Sequence, residues 1–418
     1  MAVVSIFSGM FTAAEAEQLI FTLIQPVDEV ETVGLMGAER ELLGRVLAQN
    51  VRSKLDFPHW DNSAMDGYAV RSADVEQVPA ALQVIEEIPA GKLPTKTVEA
   101  GQAARILTGA MMPEGADAVV MQEETAREDA QVTILKSASA GAFVRKQGSF
   151  SSVGDRLLAA NRSLSPAEIA LLAAAQQTEV SVYRRPKVAI LSTGSELVRA
   201  DQPLGPGQIV DSNRYALSAL VAQTGAIPLA LGTVRDERAA VKQAIAAALS
   251  QADMVLSSGG VSVGDYDYID EVLAELGATL HIRAVAVKPG KPLTVATVDS
   301  EQGQKVYFGL PGNPASAMVG FWRFVQPAIA KLSGQIGPWS PKFVWAEASS
   351  DLRAGGKRET YLWGQLTADE NGYRFGRAAG SHSSGNLVNL ANTSGLGIVP
   401  IGETHIAAGD RVRVLSIR

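Results

Sequence analysis

The chain has 418 residues, enough for roughly two to four domains. Its net charge of −7 excludes a general nucleic-acid or acidic-membrane binder, which would need a broad basic footprint. With no cysteine it has no disulfide, thiolate metal site or cysteine nucleophile, in keeping with a reducing compartment.

Residues 1–10 are apolar and lead to Ala14-Glu15-Ala16, which imitates a signal peptide and its cleavage site. No Lys or Arg precedes Arg40, however, and Glu15 and Glu17 fall within an amphipathic pattern carrying Leu19, Ile20, Leu23 and Ile24. No apolar run approaches the ~20 residues of a membrane span, so a cytoplasmic protein is expected. From about residue 13 to 52 the pattern reads as helical, a platform more than a site. Between residues 53 and 152 short β-type runs such as 82–85 and 118–122 alternate with turns at Pro89, Gly91, Pro94, Gly101, Pro113 and Gly115, predicting a β-rich domain. Ser165-Pro166-Ala167-Glu168 then supplies an N-cap, a proline at the first helical position and a capping-box acid for a helix to about Ala175.

From Pro186 to Leu332 strands and helices alternate: strand 187–191, helix 215–223, strand 227–231, helix 237–250, strand 253–256, helix 269–276, then further strands and a long helix from Pro314. Such alternation predicts a largely parallel sheet covered on both faces, with ligands bound beyond the carboxyl ends of the strands. After Gly334-Gln335-Ile336-Gly337-Pro338 a last β unit is expected, with strands near 343–346, 360–365, 397–400 and 411–415. The expected division is a discontinuous helical domain of residues 11–52 and 153–185, an inserted β-rich domain of 53–152, an α/β domain of 186–334 and a C-terminal domain of 339–418. No internal repeat stands out.

Three loops in the α/β region point to an anionic small molecule. The run Ser257-Ser258-Gly259-Gly260-Val261-Ser262-Val263-Gly264-Asp265-Tyr266-Asp267 follows a buried strand, and its glycines allow backbone N–H groups to form an anion nest. A tight turn with no ligand is the plainer reading of Gly-Gly after a strand. Lys288-Pro289-Gly290-Lys291-Pro292 places two cations on a proline-stiffened loop, although solvated surface lysines are the commoner fate. In Gly309-Leu310-Pro311-Gly312-Asn313-Pro314, Asn313 and Pro314 read as N-cap and first helical position, with free N–H groups facing the same side of the sheet.

Four acids accompany these loops: Asp66, Glu196, Asp236 and Asp267. Converging on one pocket they would offer hard oxygen ligands for Mg²⁺ bridging phosphate oxygens. The alternative for Glu196 and Asp236 is a purely structural acid at a helix N-terminus. The four histidines, His59, His281, His382 and His405, lack His-x3-His spacing, which argues against zinc. No Ser-His-Asp order, Walker A sequence or complete dinucleotide fingerprint occurs in a suitable context.

Asp61-Asn62-Ser63-Ala64-Met65-Asp66-Gly67-Tyr68-Ala69, Leu107-Thr108-Gly109-Ala110, Ser192-Thr193-Gly194, residues 257–267, 288–292 and 309–316 together resemble the MoeA-type molybdopterin molybdotransferases, to which the E domain of gephyrin is related. The resemblance runs through nearly the whole chain. It implies a multidomain α/β plus β fold: a helical platform, an inserted β domain, a central α/β domain that binds molybdopterin, and a C-terminal β-barrel, assembled as a homodimer. It implies insertion of molybdate into adenylated molybdopterin with release of AMP, aided by Mg²⁺, and leaves room for other cofactor-synthesis proteins as partners. By the same resemblance Glu196, Asp236 and Asp267 would manage the metal and the adenylated phosphate. Lys288, Lys291, Ser258, Gly259, Gly260, Ser262, Gly264, the loop Pro311, Gly312, Asn313, Pro314, and Ser381 would hold the substrate. Asp66, Thr108 and Arg145 would reach the site from the partner subunit.

Three positions depart from the family pattern. Phe150 stands where an acid usually follows, Ala284 where a basic residue usually stands (Arg283 is one residue off), and Ser195 replaces a frequent acid. Phe150 motivates an alternative, a divergent paralogue that binds or carries molybdopterin or molybdate without efficient insertion. A third reading is an adenylyltransferase or nucleotide pyrophosphatase on the same α/β domain, against which the 61–69 motif and the flanking β domains argue.

Overall fold

The computed structural model describes residues 10–260, 269–301 and 303–417. The α/β unit carries a six-stranded sheet in the order Ile227–Val234, Lys187–Thr193, Met254–Ser258, Gly303–Leu310, Pro292–Ser300, Thr279–Ala284. The first four run parallel. The expectation of a largely parallel sheet holds for them, but Pro292–Ser300 pairs antiparallel with both its neighbours. Ser300 pairs directly with Gly303, so a tight hairpin replaces a helical crossover here.

Strict alternation along the central strands feeds two cores. Val188, Ile190, Met254, Leu256, Val306 and Phe308 face helix Ser212–Gln223. Ala189, Leu191, Val255 and Tyr307 face helices Arg238–Gln251 and Ile269–Glu275. The last helical stretch is continuous from Pro314–Gly320 through a π-turn at Phe321–Val325 into Gln326–Leu332. Pro327 lacks the N–H that would bond to residue 323, and the helix widens just before it.

The helical expectation for residues 13–52 is corrected. Helix Ala13–Leu23 forms, with Thr12 and Glu15 as a capping box, but only the short helix Glu39–Leu42 follows. Val30–Gly34 is a strand paired antiparallel with Glu179–Tyr183, as its β-branched Val30, Thr32 and Val33 favour. Gly44, at φ +75°, turns the chain out of the helix beginning at Glu39. The Ala13–Leu23 helix buries Ala13, Ala16 and Ile20 in the α/β core beside Phe321 and Phe324, not in the platform. The platform core is instead Leu35, Leu42, Leu47, Leu158, Leu164, Leu172, Val180 and Val182. Helix Pro166–Ala174 starts as its sequence predicts: the Ser165 hydroxyl accepts from the Ala167 N–H at 3.2 Å and the Glu168 carboxylate from the Ser165 N–H at 2.9 Å.

The inserted region holds a six-stranded sheet ordered Ala118–Met121, Gly67–Val70, Gln102–Ile106, Ala80–Ile88, Gln131–Ile134, Thr125–Glu128, with a small core on each face. In the C-terminal region Phe343–Ala348, Arg411–Ser416, Gly395–Val399, Glu359–Asp369 and Gly372–Arg377 close on one another as a five-stranded barrel. Val287–Lys288 leaves the α/β unit and pairs parallel with Glu359 and Thr360, so the two regions share a sheet edge at the Lys288 loop.

Candidate functional site

A cavity of about 1150 Å³ opens between the carboxyl ends of the parallel strands and the C-terminal barrel. Its α/β wall is made by the loops after each strand: Thr193 and Glu196, Asp236, Ser258 to Gly260, and Pro311 to Pro314. Lys288 and Lys291 close one side, and Arg353, Arg358 and Arg377 come from the C-terminal region.

The glycine turn is held by close backbone approach. A β-carbon on Gly259, at φ +91°, would lie 2.3 Å from the Thr193 carbonyl oxygen, so only glycine fits. The Gly259 N–H donates to the Leu310 carbonyl at 3.2 Å, and a β-carbon on Gly312 would come within 3.6 Å of the Gly259 Cα. The two turns are thus in contact.

At the start of helix Pro314–Gly320, Asn313 occupies the N-cap position without a side-chain cap, and the Ala315 N–H donates to the Ser384 carbonyl at 2.9 Å. The expectation of free N–H groups there is therefore corrected for Ala315: the run Ser381 to Gly385 satisfies that donor while tethering the barrel side to the loop. Ser381 itself does not line the cavity; His382, Ser383, Ser384 and Gly385 do. His382 stacks on buried Trp363 with ring centroids 4.4 Å apart and bonds through Nε2 to the Ala378 carbonyl at 2.9 Å. Burial pushes it below the ordinary histidine range, so it meets the cavity as a neutral ring.

The charges are zoned. Glu196 and Asp236 are exposed on neighbouring loops, with the Asp236 N–H 3.4 Å from the Ser195 hydroxyl. Lys288 and Lys291 are exposed and form no ion pair with a described residue. Arg358 donates to the Val287 carbonyl at 3.2 Å, which fixes its stem against the shared sheet edge. Glu196 and Asp236 follow the two strands at one edge of the sheet and the Lys288 to Pro292 loop joins the two strands at the other, so carboxylates and lysines enter the cavity from opposite edges.

Of the residues singled out from sequence, Glu196, Asp236, Ser258, Gly259, Gly260, Lys288, Lys291, Pro311, Gly312, Asn313 and Pro314 line this cavity. Asp66, Thr108 and Arg145 do not; they sit on the inserted domain. There the Asp66 carboxylate accepts from the Thr108 N–H and hydroxyl, both at 2.7 Å, which holds it below the usual carboxylate range. Arg145 reaches the Ala64 carbonyl at 3.5 Å. Ser262, Gly264 and Asp267 lie outside the described residues, and among the described residues no three acidic or histidine side chains cluster as a metal site. Arg283, one position from Ala284, pairs with Asp270 at 2.8 Å and does not line the cavity.

Sequence reading missed Asp211, Asn213, Arg353, Arg358 and Arg377. The Asp211-Ser212-Asn213 start of helix Ser212–Gln223 carried a readable capping signal. The three arginines carried none, being isolated cations on or beside barrel strands.

The chain matches three described families in succession: MoeA N-terminal region (domain I and II) over residues 11–175, Probable molybdopterin binding domain over 189–331, and MoeA C-terminal region (domain IV) over 346–417. It is 53% identical over 418 residues to a Nostoc sp. protein named molybdopterin molybdenumtransferase, covering 98% of this chain and 95% of the relative. A protein of the same name from Haemophilus influenzae is 36% identical over 376 residues, covering 90% and 92%. The crystal structure of the molybdopterin biosynthesis moeA protein from Pyrococcus horikoshii OT3 superposes with a TM-score of 0.81 at 29% identity, covering 98% of this chain and all of that one. Three family regions in unbroken order, a barrel-closed cavity beyond the parallel strands and a relative matched over nearly its whole length place the chain in the MoeA family.

Proposed function

We propose that this protein is a molybdopterin molybdotransferase of molybdenum cofactor biosynthesis, inserting molybdate into adenylated molybdopterin and releasing AMP. The observation that carries this reading is the charged lining of the cavity: Glu196 and Asp236 from one edge of the sheet, Lys288 and Lys291 from the other, and Arg353, Arg358 and Arg377 from the C-terminal region. These cations suit both anions of the reaction, the substrate's pyrophosphate and the molybdate. The tight turns at Ser258 to Gly260 and Pro311 to Asn313 bring backbone to the pocket where bulky side chains could not approach.

Glu196 and Asp236 fit Mg²⁺, since both are exposed carboxylates on adjacent loops and offer hard oxygen donors. They would hold it, joined by Asp267 on the family resemblance, and the ion would supply Lewis-acid polarisation of the pyrophosphate oxygens. The cations orient the leaving AMP and stabilise the charge that develops as the phosphoanhydride breaks. Asp66, Thr108 and Arg145 are exposed or half-buried on the inserted domain and would complete the cavity of a second copy in a homodimer. A cytoplasmic site of action fits the cysteine-free chain, and no helix among the described residues is long and apolar enough to cross a membrane.

The carrier alternative rests on Phe150. That side chain is 72% exposed on the inserted region, which like Asp66, Thr108 and Arg145 stays outside this chain's own cavity, so the weight falls on the relatives bearing the transferase name, which match almost end to end. It is not favoured. AMP release and active-cofactor formation from adenylated molybdopterin, with molybdate and Mg²⁺, test the reading. Molybdate-dependent turnover that Asp236→Asn abolishes is the expected result; tight substrate binding without turnover in the wild-type protein would sink it.

A further inference from the structure

One turn of backbone reaches all four parallel strands. The Asp211 side chain, wholly buried, accepts from the Ser192 hydroxyl at 2.9 Å and the Thr233 hydroxyl at 3.0 Å, tying the ends of Lys187–Thr193 and Ile227–Val234. It also caps its own helix, accepting from the Arg214 N–H at 3.1 Å. Two residues on, Asn213 Nδ2 donates to the Ser258 hydroxyl at 2.6 Å and to the Gly312 carbonyl at 2.8 Å. Ser258 ends Met254–Ser258, and Gly312 lies two residues beyond Gly303–Leu310.

The amide orientation at Asn213 is forced. The Gly312 carbonyl can only accept, so the nitrogen must face it. An aspartate there would set an acceptor against that carbonyl, although its shape is nearly the same. Asn213 is 8% exposed and its Oδ1 is buried with no partner among the described residues. The side chain is thus kept in a partly unsatisfied setting, where a plain apolar contact would be less demanding. What it secures is the spacing of two turns that both line the cavity, the glycine turn at Ser258 to Gly260 and the proline turn at Pro311 to Pro314.

We propose that Asn213 is a positioning residue for substrate binding: by bridging Ser258 and Gly312 it sets the separation of the two anion-facing turns, while Asp211 anchors its helix to the other two strands. This rests on the proposed function for the identity of the substrate, not for the geometry. A uniform-binding role is expected, because the turns hold phosphate in ground and transition state alike.

The test compares wild type, Asn213→Ala and Asn213→Asp for KM and kcat with adenylated molybdopterin, together with melting temperature and amide exchange at the Gly259 N–H, which donates to the Leu310 carbonyl. Both variants are expected to raise KM about 10-fold or more with kcat little changed, the loss expected of a buried donor pair. Melting should stay nearer wild type in the Ala variant than in the Asp variant, whose buried carboxylate would face the Gly312 carbonyl, and Gly259 exchange should quicken in both. Unchanged KM in folded variants, or a KM change that only follows lost melting stability, overturns the proposal. If wild type itself fails to turn over this substrate, the proposed function falls, and the exchange measurement alone decides: unaltered Gly259 protection in both variants overturns the positioning role, and faster exchange upholds it.

Discussion

Arg323 Nε donates to the Tyr361 hydroxyl at 3.0 Å in a spot from which water is almost wholly excluded, joining the π-turn of the last α/β helix to the barrel. The same guanidinium reaches Glu17 at 3.0 Å and the Ala13 carbonyl at 3.3 Å, and the tyrosine donates in turn to Glu359. Three parts of the chain, the first helix, the α/β unit and the barrel, thus meet at one cation. Tyr361 also lines the cavity, and burial, foremost, keeps it far above the ordinary tyrosine range and therefore neutral.

Removing that cation should be severe. In Arg323→Met, Glu17 is left as a nearly buried charge without its partner, and losses of about 3–5 kcal/mol are typical of such half-broken pairs. Denaturant unfolding of the full chain checks this, with Glu17→Gln/Arg323→Met as the companion. The double variant should recover part of the loss; a single variant within about 1 kcal/mol of wild type contradicts the role given to Arg323.

Gly259→Ala probes the closest backbone approach in the cavity. The new methyl would meet the Thr193 carbonyl at 2.3 Å in a left-handed conformation, and residues forced into such regions are strained by about 1–3 kcal/mol. The turn should shift, raising KM for adenylated molybdopterin more than it lowers the melting temperature. Alanine at Gly277, also at positive φ but with no atom within 4 Å, is the control: similar strain, open space and no effect on KM.

A buried charge network predicts the acid limb of stability. Asp253 begins the central strand region, accepting from Arg184 at 2.7 and 2.9 Å and from the Lys187 N–H at 2.8 Å, with Lys305 at 3.7 Å. Burial alone would raise its carboxyl, yet the hydrogen bonds and the Arg184 and Lys305 charges together hold it below the usual range. A depressed folded pKa contributes stability that is complete above the unfolded value of about 3.9 and is lost as pH falls through the folded one. Asp253→Asn should therefore melt below wild type at pH 7, and the gap should narrow as pH falls below about 4. A gap independent of pH would mean that packing, and not ionisation, makes the difference.

The site was legible where backbone chemistry announces itself. Gly259, Gly260, Pro311 and Pro314 are residue types chosen for what a main chain must do, and the loops they form all fall at one edge of the sheet. Arg353, Arg358 and Arg377 were not legible, because an isolated cation in the C-terminal region looks the same in sequence whether it meets solvent or a cavity shared with a distant part of the chain. The first helix misled for a related reason: its apolar stripe shows that it packs, while only the fold shows that it packs on Phe321 and Phe324 instead of on Leu172. The hairpin that makes the sheet mixed turns on Ser300 and Gly303, a local turn signal too short to stand out against long alternating runs.

Asp66 and Thr108 are bonded to each other, exposed, and absent from the walls of the chain's own cavity, whereas Glu196 lines it. If the inserted domain completes a second copy's cavity, damage to Asp66 and damage to Glu196 lie in different half-sites. Asp66→Asn and Glu196→Gln should each be nearly inactive as homodimers, each spoiling every cavity. Mixed after unfolding and reassembly, random pairing gives half heterodimers, each with one undamaged and one doubly damaged site, so about a quarter of wild-type activity should return. Dilution below the assembly constant should abolish it again. Activity that stays at the level of the separate variants, in a mixture shown by mass to contain heterodimers, would place Asp66 and Glu196 in the site of one and the same subunit, and an Asp66→Asn homodimer as active as wild type would leave the hydrogen bonds to Thr108 as a fixture of the inserted domain alone.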